Sequence, residues 1–544
     1  MRVRATYCIA LGLAGLLSSH VEQAAAADDL SRRNNLNVTR PTAPRHPDDS
    51  FSRMFPGLPS YAPATDEARE QAKKVGSKGG LIDAMDLLTD PIQSIVSPGV
   101  FSPNNPYNPN MTAGLTFFGQ FIDHDLTLAL KAPFLEPTQP RRTTNFRTAE
   151  FDLDSVYGNG PDRSPELYDA STGDIKFRVE AIPGSAQVSR KGAVRYDLPR
   201  DPNSVAIIGD SRNDENLLIS QFHVAMLMFH NAVTDRVRKD PAFAHRSAKE
   251  VFNEAQRQVR WHYQWIVLNE FLPLTIGQDR VDDILRNGPR FYKVADRSQD
   301  GVFRNAIREP LIPVEFAVAA YRFGHSQVRP SYRLNFGAAP GSEFVAFIFD
   351  DSADPNDPDP DDMRGGKRAA RRFVDWQTFF KFDDNFKPNK RIDTKLSTPL
   401  MLMPGSRGAA PPGLPSDGVQ SLASRNLMRH VNFGIPSGQA IARVMGAPVL
   451  TPAQLADFAR FGMEKNTPLW CYILKEAELF EQGLRLGPVG GRIVGEVFIG
   501  LLQADKDSYV SVNRNWTPTL PSAKRGDFEI TDLLKFAGVV HPLN

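Results

Sequence analysis

Along most of the chain, apolar residues recur at three- and four-residue steps, the repeat of a helix with one buried face. The segments Leu115 to Leu130, Asn216 to Val237, Lys249 to Leu272, Val314 to Phe323, Gly418 to Met428, Thr467 to Gln482 and Arg492 to Gln503 carry this pattern. Alternating runs, which mark half-buried strands, are few and short; "FRVEAI" and "FVAFIF" are the clearest. The pattern predicts a mainly α protein, a single large helical domain over residues 91–544 with few short strands. Residues 28–90 are polar and rich in proline ("RPTAPRHPDDSFSRMFPGLPSYAPATD") and predict an extended arm lying on that domain. Ahead of them, Arg2 and Arg4 precede an apolar run from Cys8 to Leu17 and small residues up to Ala27. That layout predicts a secretory signal peptide over residues 1–27, too short to span a bilayer, and a secreted or periplasmic destination. No transmembrane segment is predicted: the most apolar later stretch, "LISQFHVAMLMFHNAV", is interrupted by His223 and His230.

Composition narrows the classes of function. With 544 residues, 41% of them hydrophobic, the chain is globular rather than disordered. Lys plus Arg (64) nearly equals Asp plus Glu (63), so no overall field draws it to nucleic acid or an anionic membrane. Cys8 falls in the signal and Cys471 stands alone in "LWCYILKEAE", which leaves no intramolecular disulfide. Cys471 reads as an apolar filler without a catalytic role.

Chemistry enters with "GQFIDHDLTL", where Asp123, His124 and Asp125 adjoin inside an apolar helix. Gln120, Asp123 and His124 share a face, whereas Asp125 is turned about 100° from His124, so the stretch addresses two sites. For the second site, "TAEFDLD" sets oxygen-bearing Thr148, Glu150, Asp152 and Asp154 at alternate positions. An extended segment would turn them to one side, as a ring of ligands for Ca²⁺ or as an exposed acidic strand. For the first, "GDSRNDEN" supplies Arg212 and Glu215, which alone would read as a surface ion pair. "YRFGHSQVRP" places His325 after an apolar run beside Gly324, with Arg322, Arg329 and Arg333 around it: a core histidine or an axial haem ligand. The stretch "FDDSADPNDPDPDDMRGGKRAARR" reads as a solvated insertion or an additional cation site. His223 and His230, seven apart, suit either a metal pair or core packing, and His262 and His430 read as packing histidines.

Taken together and in order, "GQFIDHDLTL", "GDSRNDEN", "WIVLNEFLP", "YRFGHSQVRP", "SRNLMRHVNFGIPSGQ" and "LGPVGGRIVGEVFIGLL" resemble the animal-type haem peroxidases of the peroxidase-cyclooxygenase superfamily, over about residues 75–535. The resemblance implies haem b and Ca²⁺ as cofactors. It implies hydrogen peroxide and a small electron donor as partners, with turnover through an oxoferryl intermediate. By position, Gln120, His124 and Arg212 correspond to the distal catalytic residues and His325 to the proximal iron ligand, with Asn426 as its partner. Arg322 lies on the cofactor side; Asp123 and Glu215 correspond to carboxylates that form haem esters in many members. Asp125, Thr148, Glu150, Asp152 and Asp154 correspond to the calcium site.

Departures refine the expectation. Asn216 stands where some members carry a methionine linked to haem, which argues against chloride and leaves bromide, iodide, thiocyanate or phenols as donors. Glu150 and Asp154 replace the usual aromatic residue and serine, and the missing disulfides point to a bacterial-type secreted member. A fatty-acid dioxygenase of the same superfamily would need a tyrosine three positions before His325, where Arg322 stands; Tyr321 is one further back. A non-catalytic secreted calcium-binding protein would have lost His124, Arg212 or His325, and all three are present.

Overall fold

The computed structural model describes residues 50–129, 136–173, 175–293, 295–296, 308–404 and 419–543. The expected signal peptide and the arm up to residue 49 lie outside these. The long helices are α1 (Asp66–Gly76), α2 (Ala113–Leu126), α3 (Leu217–Lys239), α4 (Ala248–Ile266), α5 (Leu422–Asn432), α6 (Leu469–Glu481) and α7 (Pro488–Ala504). The protein is mainly α, and its strands form only two-stranded ribbons among the described residues. "FVAFIF" contributes Phe344–Phe347, antiparallel to Ser331–Asn335, whereas "FRVEAI" contributes only Glu180–Ala181, paired with Tyr196–Asp197.

Local chemistry explains where the helices start. Asn216 Oδ1 accepts the Ile219 N–H at 3.0 Å and caps α3. Ser247 and Glu250 form a reciprocal capping box on α4. Pro488 opens α7, where the buried Glu476 carboxylate accepts the Val489 and Gly490 N–H groups. Beyond α4 the predicted helix continues as a π turn over Val267–Phe271 and a further α turn over Leu272–Ile276. Pro273, with no N–H to donate, sits in that turn.

Two expectations fail. The arm is not simply extended: residues 66–76 form α1, which lies so close to α5 that a Cβ on Gly76 would fall 2.3 Å from Ser424 N. The helix expected over Val314 to Phe323 splits into an α turn, Val314–Ala317, and a 3₁₀ segment, Ala320–Gln327. Arg322 Nε takes the Ala317 carbonyl at 2.8 Å, an acceptor that a continuous helix would have used.

The core is built around α3. Length and composition alone would let this helix cross a membrane, but 83% of its most apolar window is buried inside the protein. His230 on α3 approaches Tyr157 Oη and the Ile175 carbonyl, while His223 faces another network, so the two form no metal pair. His262 and His430 are likewise buried and bonded to backbone, and Cys471 is fully buried, its thiol pushed up by burial.

Burial pushes His230, His262 and His430 each down to about 4. The unfolded chain therefore binds more protons between that value and about 6.5, and the stability these residues contribute above 6.5 is lost as pH falls through 4. His230→Phe should make the fall in unfolding free energy over that window shallower by close to one proton. An unchanged slope in denaturant titrations would show that His230 is not held neutral.

Candidate functional site

The site is assembled on α2, whose apolar positions bury it on nearly every side. At Gly114 the Phe380 ring lies against the backbone, 2.4 Å from where a Cβ would stand. This seats the helix and fixes the direction of its last turn. As the repeat predicts, Gln120 and His124 share a face: Gln120 Nε2 donates to Glu215 Oε1, and His124 Nε2 lies 3.8 Å from the same oxygen. His124 Nδ1 is 2.8 Å from Asn213 Oδ1. Burial first, then Arg212, pushes His124 down to about 4, which leaves a neutral imidazole with Nε2 turned to the site. Burial likewise pushes Glu215 up to about 7.

Arg212 is held in a bidentate pair by Asp210, with Nε–Oδ1 3.0 Å and Nη2–Oδ2 2.7 Å. Nη2 also reaches the His124 carbonyl at 3.0 Å, while Nη1 has no hydrogen-bond partner among the described residues. Arg147 grips Asp210 from the other side at 2.9 Å; despite burial, the two guanidinium groups hold Asp210 well below the usual carboxylate range. Sequence reasoning gave no role to Asp210, Arg147 or Asn213. Asp210 had a local signal, an aspartate two residues before an arginine; the other two did not.

Across the site, Arg322 Nη1 pairs with Asp123 Oδ2 at 3.2 Å, and Thr127 Oγ1 donates to Asp123 Oδ1 at 3.1 Å. In a 3₁₀ segment residues three apart eclipse, so Arg322 and His325 share a face and Tyr321 does not. Tyr321 Oη donates instead to the Gly119 carbonyl at 3.1 Å. His325 Nδ1 lies 2.8 Å from the Asn426 carboxamide. Its Nε2 has no hydrogen-bond partner among the described residues, and burial, then Arg322, pushes the ring down to about 3. A Cβ built on the adjacent Gly324 would meet nothing within 4 Å. A neutral ring nitrogen without a hydrogen-bond partner is a donor that a haem iron could take.

Asp125, on the other side of α2, meets Asp152 and Asp154: ligand atoms of the three buried carboxylates all lie within 4.8 Å of one another. The loop that brings them is curled rather than extended, because Leu153 is left-handed (φ +61°) and Thr148 Oγ1 donates to Asp152 Oδ1 at 2.8 Å. The Glu150 carboxylate is not in the cluster. Burial and the neighbouring aspartates push Asp125 well above the usual carboxylate range, and burial pushes Asp154 up to about 7 although Arg147 opposes it. Mutual repulsion in a buried pocket, with Asp154 Oδ1 accepting no hydrogen bond, is the donor set a hard divalent cation relieves. The acidic stretch around residue 350 does not form such a cluster: Arg364 pairs with Asp362, and Arg371 with Asp359 and Asp361. Its backbone instead braces the site, with Gly365 N–H donating to the Glu215 carbonyl and Leu217 N–H to that of Met363.

Comparison with known proteins finds similarity to peroxidases. The family model for animal haem peroxidase matches residues 131–345, a span that holds Arg212, Glu215 and His325. Chorion peroxidase of Aedes aegypti is 24% identical over 394 residues, covering 70% of this chain and 44% of that protein. Thyroid peroxidase of Mus musculus is 25% identical over 414 residues, covering 70% and 40%. The chain thus spans less than half the length of these relatives. Among solved structures, peroxidase A from Dictyostelium discoideum aligns with a TM-score of 0.55 at 16% identity, over 90% of this chain and 93% of that one. A fatty acid α-dioxygenase of Arabidopsis thaliana aligns at 0.53 with 12% identity, over 91% and 76%.

Proposed function

We propose that the chain is a member of the animal haem peroxidase family, a secreted or periplasmic haem peroxidase that reduces hydrogen peroxide while oxidising bromide, iodide, thiocyanate or phenols. One observation carries the reading: two neutral histidines, His124 and His325, each meet an asparagine through Nδ1 and leave Nε2 without a hydrogen bond among the described residues.

His325 would hold the haem iron, and Asn426 would orient its ring. Asp123 and Arg322 line the cofactor edge, and Asp123 and Glu215 are the carboxylates available for ester links. Haem, when bound, supplies an iron that takes oxidising equivalents from peroxide and passes them to the donor. The chain's own task is to move one proton. His124 Nε2 accepts it from the near peroxide oxygen and returns it to the departing one, which leaves as water. Arg212, with Nη1 uncommitted, offsets the negative charge that builds up as that oxygen leaves. Gln120 holds Glu215 in place beside them. Haem-loaded protein should consume hydrogen peroxide continuously only when one of these donors is added, and no sustained consumption with any of them would refute the reading.

A fatty-acid dioxygenase is the second reading, favoured by the α-dioxygenase fold likeness. Tyr321 argues against it, because its hydroxyl is spent on the Gly119 carbonyl. Oxygen uptake with an unsaturated fatty acid, abolished by Tyr321→Phe, would reverse the choice.

For the second site we propose Ca²⁺, held by Asp125, Asp152 and Asp154 with Thr148 and the Glu150 carbonyl completing the shell. A cation bound only by the folded state adds about 2.7 kcal/mol at a hundredfold excess over its Kd. Chelation should lower the thermal midpoint by several degrees, calcium should restore it, and Asp152→Ala should abolish the response. A wild-type midpoint indifferent to chelator would remove calcium from the reading.

A further inference from the structure

Behind His124 runs a polar file whose far end, His223, the proposed chemistry leaves without a part. His124 Nδ1 meets Asn213 Oδ1 at 2.8 Å, and Asn213 Nδ2 meets His223 Nδ1 at 3.0 Å. All three side chains are buried, and His223 Nε2, inside the core on α3, has no hydrogen-bond partner among the described residues. A lone nitrogen of this kind is costly, so the bond to Asn213 is the one favourable polar contact His223 makes.

A carboxamide oxygen can only accept and its nitrogen can only donate. With Nδ2 turned to His223, Oδ1 faces His124, and His124 must carry its proton on Nδ1. Its lone pair is then on Nε2, the nitrogen that looks toward Glu215 and the site. Burial pushes His223 down to about 3, so its ring is neutral and one nitrogen is an acceptor; with Asn213 Nδ2 turned to it, that acceptor is Nδ1.

We propose that Asn213 and His223 are positioning residues that set the tautomer of His124, keeping Nδ1 protonated and the Nε2 lone pair ready to take a proton. The proposal rests on the peroxidase reading above, in which His124 is the base. Neither residue touches the reacting atoms; His223 acts through Asn213, and Asn213 through His124.

Cyanide is the probe. As hydrogen cyanide binds ferric haem, its carbon bonds to iron and its proton passes to the base, so the association rate measured by stopped-flow absorbance reports the Nε2 lone pair without turnover. In haem-loaded protein at pH 7, Asn213→Leu, which keeps volume but offers no acceptor, should slow association about tenfold or more. Asn213→Asp, which restores an acceptor for Nδ1–H, should return the rate to within about threefold of wild type. His223→Phe, which frees the amide to rotate, should slow association several-fold although it lies a residue away from His124. Should Asn213→Leu fail to take up haem, the other two variants decide. Wild-type rates in His223→Phe, or an Asn213→Asp variant as slow as its leucine counterpart, would overturn the pair's role while leaving the peroxidase reading intact. A wild-type protein that takes up no haem would overturn both.

Discussion

Replacing His124 with glutamine should leave haem uptake unchanged and slow the reaction with hydrogen peroxide by a factor on the order of 10² to 10⁴. Glutamine keeps a polar side chain of similar reach and cannot relay a proton near neutral pH. The loss should appear in the second-order rate of the peroxide-induced spectral change, because the missing step precedes any encounter with the donor. Raising the bromide or phenol concentration should therefore recover nothing. His124 lies in the last turn of α2 with its ring buried and its Nε2 3.8 Å from Glu215. A variant that reacts at the wild-type rate would remove His124 from the chemistry.

The second large effect is expected at His325. His325→Ala should retain the helical far-ultraviolet signal and lose the spectrum of a five-coordinate, histidine-ligated ferric haem. The 3₁₀ segment does not depend on the ring, because Arg322 is anchored to the Ala317 carbonyl and the Trp470 indole N–H reaches the Arg322 carbonyl at 3.1 Å. Added imidazole should restore part of the ligation by entering the space that the deleted ring leaves. An unaltered histidine-ligated spectrum in the alanine variant would mean that another residue holds the iron. Asn426→Ala should produce a milder change, a shift in the ferric spectrum with ligation retained, because it only orients the ring.

Much of this architecture could be read from the chain because α2, α3, α4, α6 and α7 each follow one helical repeat over eleven residues or more. That repeat also placed Gln120 and His124 on one face and turned Asp125 away. Where the reading failed, tertiary contacts overrode local pattern. The break before His325 depends on an arginine side chain capturing a carbonyl five residues back, and over eight residues α and 3₁₀ spacing look alike. The curled cation loop turns on a left-handed leucine, a residue type that announces no such turn. α1 was hidden by the prolines around it. Arg147 and Asn213 stand far in sequence from the groups they hold, so nothing local identified them.

The sealed position of Cys471 bears on how long such a catalyst lasts. Oxidation of a cysteine begins at the thiolate, and burial both denies access and keeps this sulfur protonated. The methionines have no such protection through ionisation, and Met85 is 59% exposed at a left-handed turn. Under the peroxidase reading, damage by hydrogen peroxide among the described residues should therefore start as a sulfoxide at the surface rather than as a lesion in the core, and the proposed site should outlast the first of it.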